Sequence, residues 1–79
     1  MRILIADDND AVRRGVAGLL SSEAGWKVCG EASNGSEALQ KARALLPDLI
    51  LLDVSMPGMN GLDTARLLRE RVPAVKMRL

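Results

Sequence analysis

The chain has 79 residues, 48% hydrophobic and 27% charged, with eleven Lys+Arg against ten Asp+Glu. That is one small globular domain, which buries roughly 60% of the surface its unfolded chain exposes and has no charge excess to draw it to nucleic acid or an anionic membrane. One cysteine excludes an internal disulfide framework, and the absence of histidine excludes the usual zinc clusters as well as Ser-His-Asp and Cys-His catalysis.

Arg2 to Ala6 is a short apolar run that does not alternate, as expected of a strand buried on both faces. It stops at Asp7-Asp8, far short of the roughly 20 apolar residues a spanning helix needs, so no membrane span or leader is expected and the expected location is the cytoplasm. Asn9 or Asp10 caps a helix over Ala11 to about Glu23. Its predicted apolar face is Val12, Val16, Leu19 and Leu20, with Arg13 and Arg14 opposite and Gly25 as the stop. Trp26 to Ala32 reads as a second, less apolar strand, with Lys27 and Glu31 pointing to a sheet edge. Trp26 itself reads as a packing residue, and Cys29 as an inert, buried or half-buried thiol. Asn34 or Ser36 caps a second helix that runs to about Leu45, with Ala38, Leu39, Ala42 and Leu45 or Leu46 inward. Pro47-Asp48 breaks it.

Leu49 to Leu52 is the most apolar strand and ends at Asp53. The loop Val54 to Gly61 follows, with Met56 and Met59 covering its apolar side. A third helix is predicted from about Leu62 to Arg71, with Leu62, Ala65, Leu68 and Val72 inward. The basic residues Arg66, Arg69, Arg71, Lys76 and Arg78 read as a solvated face. Ala74 to Met77 starts like a fourth strand. The pattern βαβαβα implies parallel strands joined by right-handed crossovers, with helices on both faces. If the first strand lies between the second and third, the crevice at the C-terminal ends of strands one and three is the expected ligand site.

Asp7, Asp8 and Asp53 would share that crevice. Like charges so close are costly unless one is protonated or a cation sits between them, and Mg²⁺ takes hard oxygen ligands while keeping waters. Asp53 would then be placed to act as a nucleophile toward an activated phosphate. Each aspartate alone also reads as a cap or turn residue, and spacing does not decide between the two readings.

The runs Ile3-Leu4-Ile5-Ala6-Asp7-Asp8, Leu49-Ile50-Leu51-Leu52-Asp53 and Met56-Pro57-Gly58-Met59-Asn60-Gly61, in that order, resemble the receiver domain of two-component response regulators, in particular receivers of the LuxR/NarL type. Ala32, Asn34-Gly35, Glu37-Ala38 and Pro47-Asp48-Leu49 fit the same pattern, and the match covers about residues 1–75. The resemblance implies a flavodoxin-like (CheY-like) α/β fold, here three βα units with strand order 2-1-3 in a single domain over 1–79 and no output domain. It implies phosphorelay signalling rather than an enzyme. Asp53 is implied as the acceptor of a phosphoryl group from a histidine kinase or a small phosphodonor. Asp8, Asp53 and the backbone carbonyl of Ser55 are implied as Mg²⁺ ligands, with Asp7 acting through a metal-bound water. The ion is expected for the chemistry and not for the fold. Pro57 and Gly61 shape the loop after the acceptor.

Receivers have five βα units, with a Ser/Thr after strand four and a Lys after strand five that have no counterpart here. Lys76 lies in the expected fourth strand itself. Impaired phosphorylation is therefore expected, with a non-phosphorylated interaction protein or a remnant of a regulator as alternatives. Leu49, Ile50, Leu51 and Leu52 are expected to form an exposed edge. A homodimer is expected to cover it, through paired third strands or a swapped C-terminal tail. No nucleic acid or membrane partner is expected.

Overall fold

The computed structural model describes residues 1–53, 66–69 and 76–78. Its elements run β1 (Arg2–Ala6), α1 (Asp10–Ser21), β2 (Lys27–Ala32), α2 (Gly35–Leu45), β3 (Leu49–Leu52) and β4 (Lys76–Arg78), with a helical stretch at 66–69. The strands form one parallel sheet in the order β2-β1-β3-β4. The expected order 2-1-3 is present, with β2 at the edge. Residues 54–65, which hold the loop with Ser55, Met56, Pro57, Met59 and Gly61 and the inward positions Leu62 and Ala65, lie outside the described residues. So do Arg71 and Val72.

β1 is central, and Ile3, Leu4, Ile5 and Ala6 are all buried. This is why the run does not alternate: both faces of a central parallel strand are covered. The two faces are packed differently. Leu4, Ala6, Ile50 and Leu52 join Ala32, Ala38, Ala42 and Leu68 in one core, with Leu39 against it. On the opposite face Ile5 and Leu51 line an open groove of about 290 Å³ with Val16 of α1.

Arg2 and Asp48 set the β1–β3 register. The Arg2 amide donates to the Asp48 carboxylate at 2.7 Å, and the Asp48 amide donates to the Arg2 carbonyl at 2.8 Å. The pairing then runs from Ile3 with Leu49 to Ala6 with Leu52. β1 and β2 slip by one residue, Leu4 pairing with Gly30, so Cys29 is the extra residue of a bulge. Cys29 is half-buried, and its thiol donates to the Ile3 carbonyl at 3.4 Å. Gly30 lets α2 approach: a Cβ there would lie 2.8 Å from Leu45 Cδ1 and 3.3 Å from Leu4 Cδ1.

The N-caps of α1 and α2 are asparagines. Asn9 accepts from the Val12 amide at 3.0 Å and Asn34 from the Glu37 amide at 2.8 Å. Glu37 reaches back to the Ser33 amide at 3.3 Å, much as in a capping box. Burial pushes the Glu37 carboxyl up, but the hydrogen bond and charge of Lys41 and the bonds from Ser33 together hold it below its ordinary value.

Several expectations are corrected. α1 ends at Ser21, capped by Ser22, and not at Gly25. Gly25 takes φ +82° in the following turn, closed by the Trp26 amide on the Glu23 carbonyl at 3.2 Å. Trp26 therefore belongs to that turn and is 42% exposed, not packed in a strand. On α1, Val12 and Leu19 are 49% and 72% exposed, while Arg13 is only 9% exposed. The inversion arises because the Asp7 carbonyl, Asp10 of the same helix and Glu31 of β2 satisfy the guanidinium, whereas the groove leaves the apolar face partly open. Of Leu45 and Leu46, Leu45 is the half-buried one, while Leu46 closes α2 in the left-handed conformation, φ 47°, with its amide on the Ala42 carbonyl at 3.0 Å.

The exposed edge expected at Leu49, Ile50, Leu51 and Leu52 is also corrected. β4 of the same chain pairs with β3, Leu49 with Lys76, Ile50 with Met77 and Leu51 with Arg78. A third strand this apolar is covered most readily by the next segment of its own chain. Neither proposed dimer is needed to satisfy that edge. Lys76 lies in β4, as the sequence pattern implied.

Candidate metal and phosphoryl site

Asp7 and Asp53 leave the sheet side by side, one step past the last paired residues Ala6 and Leu52. Two backbone bonds continue the sheet into them. The Asp7 amide donates to the Ala32 carbonyl and the Asp53 amide to the Ala6 carbonyl, both at 2.9 Å. This is the point where the chain leaves β1 toward β2 on one side and β3 lies on the other, the position at which parallel sheets open a crevice.

The three aspartates meet there. Asp7 and Asp53 are half-buried and Asp8 is exposed, and one carboxylate oxygen from each lies within 4.8 Å of the others. The loop is built tightly around them. Asp7 Oδ1 accepts from the Asn9 amide at 2.9 Å, and the Asn9 carbonyl accepts from the Arg13 amide at 2.9 Å. Asp7 and Asp53 also form one end of the groove over Ile5, Val16 and Leu51.

The donor set fits a hard divalent cation. It offers only carboxylate oxygens, from three residues on two adjacent segments, with one side open to solvent. Of the residues expected at the site, Asp7, Asp8 and Asp53 come together. Ser55, Pro57 and Gly61 lie outside the described residues.

Arg13 was missed by sequence reasoning. Its Nη1 donates to the Asp7 carbonyl at 2.8 Å, its Nη2 pairs with Asp10 Oδ1 at 2.7 Å, and its Nε donates to Glu31 Oε1 at 3.0 Å. The bond to Asp10, helped by Glu31 and opposed by burial, holds the guanidinium above its ordinary value. Lys41 of α2 extends the network, donating to the Glu31 carbonyl and pairing with Glu37 at 3.3 Å. The available signal was the Asp10–Arg13 spacing, three apart on a helix. Arg66 and Arg69 are exposed, as expected of a solvated face. Among the described residues no helix is long and apolar enough to cross a membrane.

The response regulator receiver domain family matches residues 3–78. The response regulator GacA of Pseudomonas viridiflava is 44% identical over 77 residues, 98% of this chain and 36% of GacA. The nitrate/nitrite response regulator NarL of Escherichia coli K12 is 52% identical over 69 residues, 87% of this chain and 32% of NarL. The chain thus spans about a third of the length of these curated relatives. Among solved structures, the response regulator domain of Thermotoga maritima CheB superposes with a TM-score of 0.93 at 32% identity, covering 98% of this chain and 57% of that one. The receiver domain of the NarL regulator from Mycobacterium tuberculosis gives 0.90 at 38% identity, covering 96% and 61%. Sequence and fold agree, and the chain belongs to the response regulator receiver domain family.

Proposed function

We propose that this chain is a phosphoryl-accepting module of a phosphorelay, with Asp53 as the acceptor. The observation that carries the reading is the meeting of Asp7, Asp8 and Asp53 at the open end of β1 and β3. Family membership supports the same reading. Asp8 and Asp53, with the Ser55 carbonyl, would hold Mg²⁺, and Asp7 would reach it through a water; when bound, the cation would supply charge neutralisation for the incoming phosphoryl oxygens. An Asp53 carboxylate oxygen attacks the phosphorus of a kinase phosphohistidine or a small acyl phosphate. The new O–P bond gives an acyl phosphate as the bond to the donor breaks, and the departing imidazole nitrogen or carboxylate keeps that electron pair. Backbone bonds to the flanking strands keep Asp7 and Asp53 in place while this charge moves.

The test is native mass spectrometry after incubation with Mg²⁺ and acetyl phosphate. One phosphoryl group per chain, lost in Asp53→Ala, is expected. Equal labelling of the two proteins removes Asp53 as acceptor. A second reading, an interaction protein that is not phosphorylated, draws on the exposed Val12 and Leu19 of α1. Its signature is an unlabelled chain whose mass shows self-association.

A further inference from the structure

We propose that Arg13 is a positioning residue for the cation site, holding the 7–9 loop in the conformation that brings Asp8 to Asp7 and Asp53. The inference rests on the metal reading above. Arg13 touches the loop on both sides of Asp8. Its side chain holds the Asp7 carbonyl at 2.8 Å, and its amide holds the Asn9 carbonyl at 2.9 Å. Asp8 is the residue spanned between them. The guanidinium is itself fixed by two further acceptors in different directions, Asp10 at 2.7 Å on the same helix and Glu31 at 3.0 Å on β2. Glu31 pairs in register with Ile5, so the clamp is referred to the centre of the sheet. Planar, multidirectional donation of this kind is what a guanidinium provides and an ammonium does not.

Charge and geometry predict opposite signs. As a bare positive charge beside three carboxylates, Arg13 would oppose cation binding, and its removal would tighten it. As the clamp on the loop, its removal loosens Asp8 and weakens binding. Outer residues that orient metal ligands typically change affinity by 10- to 100-fold.

The experiment is calorimetric titration of the whole chain with Mg²⁺ alone. It compares wild type, Asp53→Ala, Arg13→Met, Arg13→Lys and Arg14→Met, with the melting temperature of each read by circular dichroism. Arg14 is exposed on the same helix, so Arg14→Met removes the same charge without the clamp. The expected result is Mg²⁺ affinity about 10-fold weaker in Arg13→Met, nearly as weak in Arg13→Lys, and unchanged or slightly tighter in Arg14→Met. Unchanged or tighter binding in a folded Arg13→Met overturns the inference. If that variant does not fold, Arg13→Lys decides by the same criterion. Wild-type binding that Asp53→Ala does not alter overturns the metal reading itself, and this inference falls with it. Binding lost in Asp53→Ala but kept in Arg13→Lys removes the inference alone.

Discussion

Leu68 offers a direct measure of how far the core extends beyond the acidic end of β3. Among the described residues it is one of four large side chains that are fully buried, with Ile3, Leu4 and Ile50. Its neighbours in the core include Ala32, Ala38 and Ala42, which are too small and too fixed on their elements to fill a hole. The chain has no Phe or Tyr to move into one either. Leu68→Ala should therefore leave most of its cavity open and cost about 3 kcal/mol, within the range for buried leucines. For a domain of this size, total stability is on the order of 4–12 kcal/mol, so that loss is a large share of it. The melting temperature should fall by roughly 12–24 °C. Leu19→Ala is the control, the same chemical change at a side chain 72% exposed, and should move stability by less than about 0.5 kcal/mol. Urea and thermal unfolding followed by circular dichroism supply both numbers. Equal shifts in the two variants would mean that the helical stretch at 66–69 does not dock on the sheet, and the core assignment would fail.

Four further outcomes follow from the geometry. Asn9→Ala removes the acceptor for the Val12 amide and should cost about 1 kcal/mol, read from the urea midpoint; no shift would show that the cap contributes nothing. Leu46→Gly should raise stability by roughly 0.5–1 kcal/mol, because Leu46 is exposed and left-handed, and glycine adopts that conformation without a Cβ penalty; a lower melting point would refute this. Gly30→Val should cost about 1–3 kcal/mol, since Leu45 can yield at its end but Leu4 is fully buried, and a neutral result would contradict the close approach of α2. Glu37 is held below its ordinary value of 4.5 in the folded chain, so the stability it contributes is present above about pH 4.5 and is lost as pH falls through its lower folded value. Glu37→Gln should flatten that acid limb in urea midpoints measured between about pH 6 and 3, and an unchanged limb would remove Glu37 as its source.

The strands and the aspartates were legible in the sequence because both are short-range signals. Leu49 to Leu52 is an unbroken apolar run between Asp48 and Asp53, and its pairing with Ile3 to Ala6 buries Ile50 and Leu52 and half-buries Leu49 and Leu51. Asp7 and Asp53 terminate parallel neighbours, so their proximity follows from the strand order alone. Arg13 was not legible, because helix periodicity assigns charge to solvent and cannot see acceptors brought by β2 and by the preceding loop. The exposure of Val12 and Leu19 is the other half of the same error. A helix face reads as inward from its own residues, yet it is buried only if something packs there. The pairing of β4 with β3 was not legible for a related reason: an apolar strand edge can be covered by a second chain or by a later segment of its own, and the run itself carries no signal that distinguishes them.

The three carboxylates are held by two different kinds of support, and that difference matters more than their proximity. Asp7 and Asp53 come with the sheet: their amides bond to the Ala32 and Ala6 carbonyls, so they move only if the strands separate. Among the described residues no strand offers Asp8 such an anchor, and its place depends on the loop closed by Asn9 and Arg13. Changes to strand packing should therefore lower stability first and disturb Asp7 and Asp53 only as the domain opens. Changes to the loop should alter cation affinity while the sheet stays folded. Leu68→Ala and Arg13→Lys sit on opposite sides of that division, and measuring stability and Mg²⁺ affinity on both separates the scaffold from the site it carries.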